Sequence, residues 1–310
     1  MIRIRLGRNN VSLGFLLKNS KMKIERSAYY AKYDYWGFIK ETLIRRILAP
    51  FLYRYYRLNR FPSLEHLFIN SLNNSRLLII FIESTRYDIF KSLYKHYFGQ
   101  FHNKLLIARA SPEYSINLLP KLFTNPLFND VRIFYPALSV GVHNLRKVIL
   151  NSIPLGRNIE VIEIKPNKVK DLGTVLPSEV NDEVMRIGLY KRTIIWYAQP
   201  HFPWILYKDI SKLLFREVAL HELIPGDIVN KKLLGVGLNR DKIVRAYISN
   251  VEIVLLSIKH LINYFRNELY NTKIIITSTH GELLGEYGLY LHKDIPLPQR
   301  VLVPWLEVML

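Results

Sequence analysis

Cysteine is absent from this chain of 310 residues. That excludes disulfides and thiolate metal sites, so any bound metal must rest on imidazole, carboxylate or hydroxyl groups. It also matches a reducing cytoplasm. Acidic residues are scarce as well: 25 Asp and Glu stand against 44 Lys and Arg, a net charge of +19. A field of that sign attracts polyanions such as anionic lipid headgroups, phosphorylated or sulfated glycans, and nucleic acid. Nucleic acid is the weakest of these partners, because no reader motif accompanies the charge. Long apolar runs are missing too. No stretch approaches ~20 uncharged apolar residues, so no membrane span is expected. The opening residues, MIRIRLGRNNVSLGFLLKNSK, lack the apolar core and cleavage site of a signal peptide, and the expected location is cytoplasmic.

What is present suffices for a packed interior. Hydrophobic residues make up 49% and aromatics 13%, which excludes global disorder. Residues 1–70 are basic and mostly helical in pattern. Within WGFIKETLIRRILAPFLYRYYRLNRF (36–61), Trp36, Ile39, Leu43, Ile47 and Phe51 recur at three- and four-residue spacing, with Arg45, Arg46, Arg54 and Arg57 elsewhere. Such a helix either packs on the body of the protein with a basic face outward or lies on an anionic membrane surface. Pro50 is expected to break or kink it.

From residue 75 onward apolar runs of strand length alternate with helical ones. Strands are predicted at 76–82, 104–110, 130–138, 158–164, 192–198 and 273–279, with helices at 87–98 and 241–269. The order implies an α/β fold, a mainly parallel sheet flanked by helices. The expected division is a basic helical extension over 1–70 and one α/β domain over 71–310.

Polar residues gather where strands end, and in a parallel sheet those ends share one edge, where sites of open α/β folds lie. Glu83, Ser84, Thr85, Arg86 and Asp88 follow the first strand; Ser111 and Ser115 follow the second; His201 follows the fifth. The sixth delivers Thr279, His280, Glu282 and, further on, His292. Convergence of Glu83, Ser115, His201, His280 and His292 would supply a carboxylate, imidazoles and a hydroxyl, a set suited to Zn or Mn.

These segments carry a resemblance. HGELLGEYGLYLH (280–292) resembles the C-terminal signature of the alkaline phosphatase superfamily, in particular its sulfatase-like and phosphoethanolamine transferase members. LLIIFIESTRYD (77–88) is similar to that family's first strand, with Glu83 in place of the acidic ligand. SPEYSINLLPKLFT (111–124) is similar to its nucleophile segment, and counting back from Thr124 selects Ser115, with Ser111 in reserve. IIWYAQPHFPWI (194–205) and VPWLEV (303–308) resemble two further family segments. The resemblance implies a divalent metal on Glu83, His280, Thr279 and Ser115, and a covalent ester formed on Ser115. It makes His201 and His292 contacts to the transferred group or its acid and base. Arg86 and Asp88 would buttress the first loop, while Lys121 and Lys293 are candidate anion contacts. Substrates would be phosphate or sulfate esters, of a glycan or lipid. Two departures stand out. Thr279 occupies the position of the family's Asp ligand, and the motif that directs formylglycine formation is missing, which disfavours a type I sulfatase. The alternative is a degenerate member that keeps the fold and binds an anionic partner.

Overall fold

The computed structural model describes residues 3–6, 9–12, 39–40, 42–111, 125–137, 153–154, 156–168, 172–208, 211, 239–291 and 295–310. Its centre is strand β3 (Leu77–Ile82), six consecutive apolar residues that are all buried. A strand apolar at every position needs cover on both faces, and this one has it. Leu78, Ile80 and Ile82 point into one core, with Phe90, Phe98, Val251 and Ile258 from the helices. Leu77, Ile79 and Phe81 point into the other, with Leu64, Phe68 and Phe128.

On one side β3 pairs in parallel with β7 (Arg192–Tyr197), which pairs with β5 (Val131–Pro136), and that strand with β6 (Ile159–Ile164). On the other side it pairs in parallel with β8 (Lys273–Thr277). Next comes β11 (Leu302–Met309), antiparallel both to β8 and to the edge strand β4 (His102–Arg109). The seven-stranded order is β4-β11-β8-β3-β7-β5-β6. Six strands therefore run one way and β11 alone runs back, which gives the expected mainly parallel α/β sheet. Because β4 shares the direction of β3, its end and the ends of β3, β7 and β8 lie along one edge.

One face carries helix α3 (Tyr87–Phe98), helix α4 (Pro177–Ile187) and the long helix α5 (Arg240–Tyr264). The predicted bounds of α3 match, whereas α5 stops at Tyr264 and passes into turns before Lys273. Asn239 opens α5 by accepting a hydrogen bond from the Lys242 amide at 3.0 Å, the usual way to satisfy a first-turn donor.

Differences from expectation are concentrated upstream. A two-stranded antiparallel hairpin, β1 (Arg3–Leu6) with β2 (Asn9–Ser12), lies in the stretch read as mostly helical. Pro50 does not end its helix. A π-helical turn (Ile44–Leu48) runs straight into helix α1 (Ala49–Tyr55), and the Ala49 amide bonds back five residues to the Ile44 carbonyl. Pro50 has no N–H to give to the Arg46 carbonyl, and the wider turn accommodates that loss without stopping the helix.

Helix α2 (Leu64–Ser71) is bound into the sheet. Phe68 is fully buried and stacks between Phe81 and Phe128 at centroid distances of 6.1 and 6.0 Å. Ser63 caps its first turn through the His66 amide. We expect Phe68→Ala to cost about 3–5 kcal/mol, read as a lower urea midpoint with an unchanged slope. A loss well under ~1 kcal/mol would show that α2 is a detachable part of the extension rather than of the sheet's core.

Candidate active site

Strand periodicity sets the site. Phe81 pairs across the ladder with Trp196, and their rings meet at 4.9 Å. Both belong to the core on the α2 side. Glu83 follows Phe81 by two residues, so it emerges on that same face. There the Trp196 indole N–H donates to Glu83 Oε2 at 2.8 Å. Ladder bonding continues one step past β3, with the Glu83 amide on the Tyr197 carbonyl at 3.0 Å.

The neighbouring strand β8 delivers the other half. His280 Nε2 stands 2.9 Å from Glu83 Oε1, and the Thr279 hydroxyl reaches both Glu83 oxygens at 3.2 Å. All three side chains are buried. Burial, followed by the nearby Arg300 charge, pushes the His280 pKa down, against the pull of Glu83. Nε2–H donates to Glu83, while Nδ1 lies 3.1 Å from the Gly281 carbonyl and 3.4 Å from Ser84 Oγ. The carboxylate thus receives donors from Trp196, Thr279 and His280 together.

Loop packing fixes these positions. Ser84 takes a left-handed backbone with φ of 58°, a conformation that side chains other than Gly seldom adopt. It is held by the Tyr247 hydroxyl of α5, which donates to the Ser84 carbonyl at 2.7 Å and accepts from the Arg86 amide at 3.0 Å. Ser278 Oγ accepts from the Thr85 amide and donates to the His280 carbonyl. At Gly281 a Cβ would fall 2.0 Å from the Gln299 carbonyl oxygen, so no larger residue fits between the loops. Arg86 joins Asp88 at 2.6 Å to Glu286 at 2.7 Å, clamping the β3 loop to the β8 loop. Burial opposes its charge, but the two carboxylates outweigh that and hold it above its ordinary value. The expected buttressing role of Arg86 and Asp88 matches this geometry.

Sequence reasoning missed several participants. Trp196 is legible in the strand pattern as an apolar residue, yet nothing in that pattern marks its N–H as a partner of Glu83. Arg300, wholly buried, lies near the Gly281 carbonyl, its Nη1 at 3.4 Å. Glu282 was noted only as part of a motif. Both its oxygens are buried without a hydrogen-bond partner among the described residues. Burial above all, only partly offset by His201 and Arg300, pushes its pKa up to about 7. His201, half-buried, lies in the loop that follows β7. Its Nδ1 lies 2.6 Å from the Phe202 carbonyl, and Asn250 of α5 braces the loop through the Ile205 amide and the Pro203 carbonyl. Ser111 follows β4 at the same edge. Ser115, Lys121, Thr124, His292 and Lys293 lie outside the described residues.

Solved structures of related outline exist. The soluble domain of lipooligosaccharide phosphoethanolamine transferase A from Neisseria meningitidis aligns over 76% of this chain and 77% of its own, at 15% identity and a TM-score of 0.43. The C-terminal periplasmic domain of EcEptC from Escherichia coli, in complex with Zn, aligns over 76% and 73% at 14% identity and a TM-score of 0.42. A protein in the alkaline phosphatase superfamily from Vibrio parahaemolyticus aligns over 76% and 60% at 9% identity and a TM-score of 0.43. No family model and no curated protein matches the chain.

Do the residues fit the implied divalent ion? Glu83 and His280 are near enough to share one, since two tetrahedral ligands of zinc lie about 3.3 Å apart. The rest of the set falls short. Thr279 offers a neutral hydroxyl whose proton is directed at Glu83, and among the described residues no group of three or more His, Asp or Glu gathers. The described residues do not make a cation site by themselves.

The Glu282 shift has a measurable consequence. Its carboxyl has an ordinary value of 4.5 and is held at about 7 in the fold, so the native state binds the extra proton between those values. Stability therefore falls as pH rises from ~4.5 through ~7, by about 3 kcal/mol. In chelator-treated protein, Glu282→Gln should match the wild type at the acid end of that window. It should exceed the wild type by about that amount above it, as read from urea midpoints. A difference that stays constant across the window would contradict the assignment.

Proposed function

We propose that this protein transfers or hydrolyses phosphate- or sulfate-ester groups, carried on a glycan or lipid, at the sheet edge marked by Glu83 and His280. One observation supports this reading above the rest. Two residues 197 positions apart, a carboxylate and an imidazole, meet at 2.9 Å at the carboxyl ends of adjacent parallel strands. Such edges are where open α/β sheets bind ligands.

In this reading the Ser115 hydroxyl attacks the phosphorus or sulfur of the ester. Its proton passes to a histidine, His201 or His292, as the O–P or O–S bond forms. The bond to the leaving alcohol breaks, and that oxygen takes up a proton from the other histidine. Water or an acceptor hydroxyl then releases the group from Ser115. Tyr247, Ser278 and the Arg86 clamp hold the two loops in register and exclude water from beneath the Glu83 cluster. A divalent ion, Zn or Mn by the donor types, would need an anionic ligand that Thr279 does not supply, so no step here is assigned to it.

A second reading rests on Thr279 itself. Its hydroxyl bonds both Glu83 oxygens, a satisfied arrangement that a degenerate, ligand-binding member of the fold would retain.

Metal analysis of the purified protein, with turnover of p-nitrophenyl phosphate, its diester and the sulfate, separates the two. We expect slow wild-type turnover, abolished in Ser115→Ala, and a gain in both bound metal and rate of at least about ten-fold in Thr279→Asp, a change worth ~1.4 kcal/mol in the barrier. Turnover untouched by Ser115→Ala would overturn the nucleophile. Absence of turnover in the wild type on all three esters would favour the binding role.

A further inference from the structure

The helical segment over residues 42–55 presents two apolar faces, although a helix packed on a domain needs one. Ile44 and Ala49 are buried with Leu283, Leu289, Ile295 and Leu297, and Leu48 and Leu52 pack beside them. The other row recurs every four residues, Leu43, Ile47, Phe51 and Tyr55, and is exposed by 51, 64, 59 and 68%. This includes three members of the spacing that marks the segment in the sequence; Trp36 lies outside the described residues. Leu43, Ile47 and Phe51 of this row line an apolar groove of about 780 Å³ together with Ile39, Leu48 and Tyr287. Lys40 lines it, and the exposed Arg46 and Arg54 each precede a member of the row, Ile47 and Tyr55, and so stand on its flank, in a chain of net charge +19.

We propose that this face is a docking surface for an anionic lipid bilayer. A contiguous apolar row rimmed by arginines has the chemistry of a helix that lies in the headgroup layer, with side chains among the acyl chains and guanidinium groups on the phosphates. Charge selects this occupant over an apolar protein partner, because each arginine at an anionic surface adds roughly five-fold to binding. No described helix is long and apolar enough to cross a membrane. The groove also adjoins the loop that follows β8. Tyr287, which lines it, and Leu283 and Leu289, which pack against Ile44 beneath the helix, belong to the stretch that carries His280 and Glu282. Docking would therefore bring that loop toward the lipid headgroups.

Flotation of the full chain with vesicles tests this without reference to turnover, so its outcome is independent of the ester chemistry. The wild type should float with equimolar phosphatidylcholine and phosphatidylglycerol, stay behind with phosphatidylcholine alone, and detach as salt rises. The double variant Ile47→Glu/Phe51→Glu, altered only at exposed positions, should lose binding by at least about a hundred-fold. Arg46→Glu/Arg54→Glu should lose at least about twenty-five-fold. Leu256→Glu, equally exposed at 60% on α5, should bind as the wild type does. Equal flotation of all variants would reduce the effect to diffuse charge and overturn the proposal. So would absence of flotation, whether because a second copy covers the row, seen as a dimer that Ile47→Glu/Phe51→Glu dissociates, or because residues 13–38 cover it, seen as an increase in proteolysis of that segment in the same variant.

Discussion

A single buried carboxylate organises this molecule's working edge. Glu83 leaves a strand that is apolar at every position, so its charge must be met by protein groups, since an unpaired buried charge is costly. Three donors meet it from two neighbouring strands: the Trp196 indole, the Thr279 hydroxyl and the His280 ring. Each donor depends on the parallel register of β3 with β7 and β8. A slip of one residue would turn Trp196 to the opposite core and leave Glu83 without its indole partner. The polar cluster thus rests on the hydrophobic alternation beneath it, and the loops above it are tied down by Tyr247, Ser278 and the Arg86 clamp.

The strands and their order were legible because fully buried parallel strands write themselves as short, β-branched runs separated by polar turns. RLLIIFI, RTIIWYA and KIIITST could be read directly, and so could the polar residues at their ends. The return strand β11 was identifiable only by resemblance, since an apolar run does not record its direction. Upstream, local pattern and structure diverged. The four-residue repeat of Leu43, Ile47 and Phe51 announces an amphipathic helix but not which of its faces is covered, and the covered face proved to be that of Ile44 and Ala49. A proline usually marks the end of a helix; here a π turn absorbs it. Glu83 and His280 were both legible as polar residues at strand ends, and the structure brings them together at 2.9 Å. The roles of Trp196, Arg300 and Glu282 were not, because each depends on a contact made in three dimensions by a residue whose type has commoner uses.

Thr279 is where the sequence and the geometry converge on one tension. In place of a second carboxylate, the chain puts a hydroxyl that serves Glu83 as a donor. This lowers the local negative charge and completes the hydrogen bonding of the cluster, while weakening any hold on a divalent ion. Nearby, Glu282 keeps two buried oxygens without partners among the described residues, and its proton is held well above the usual carboxylate range by burial.

The central claim is that a serine at this edge takes up the transferred group. Incubating the protein with p-nitrophenyl phosphate, quenching in acid and mapping the peptides by mass spectrometry tests it most directly. The account predicts a phosphoryl adduct on Ser115 that is lost in His280→Ala. Turnover with no adduct on any serine, or an adduct on a residue away from the ends of β3, β4 and β8, would contradict it.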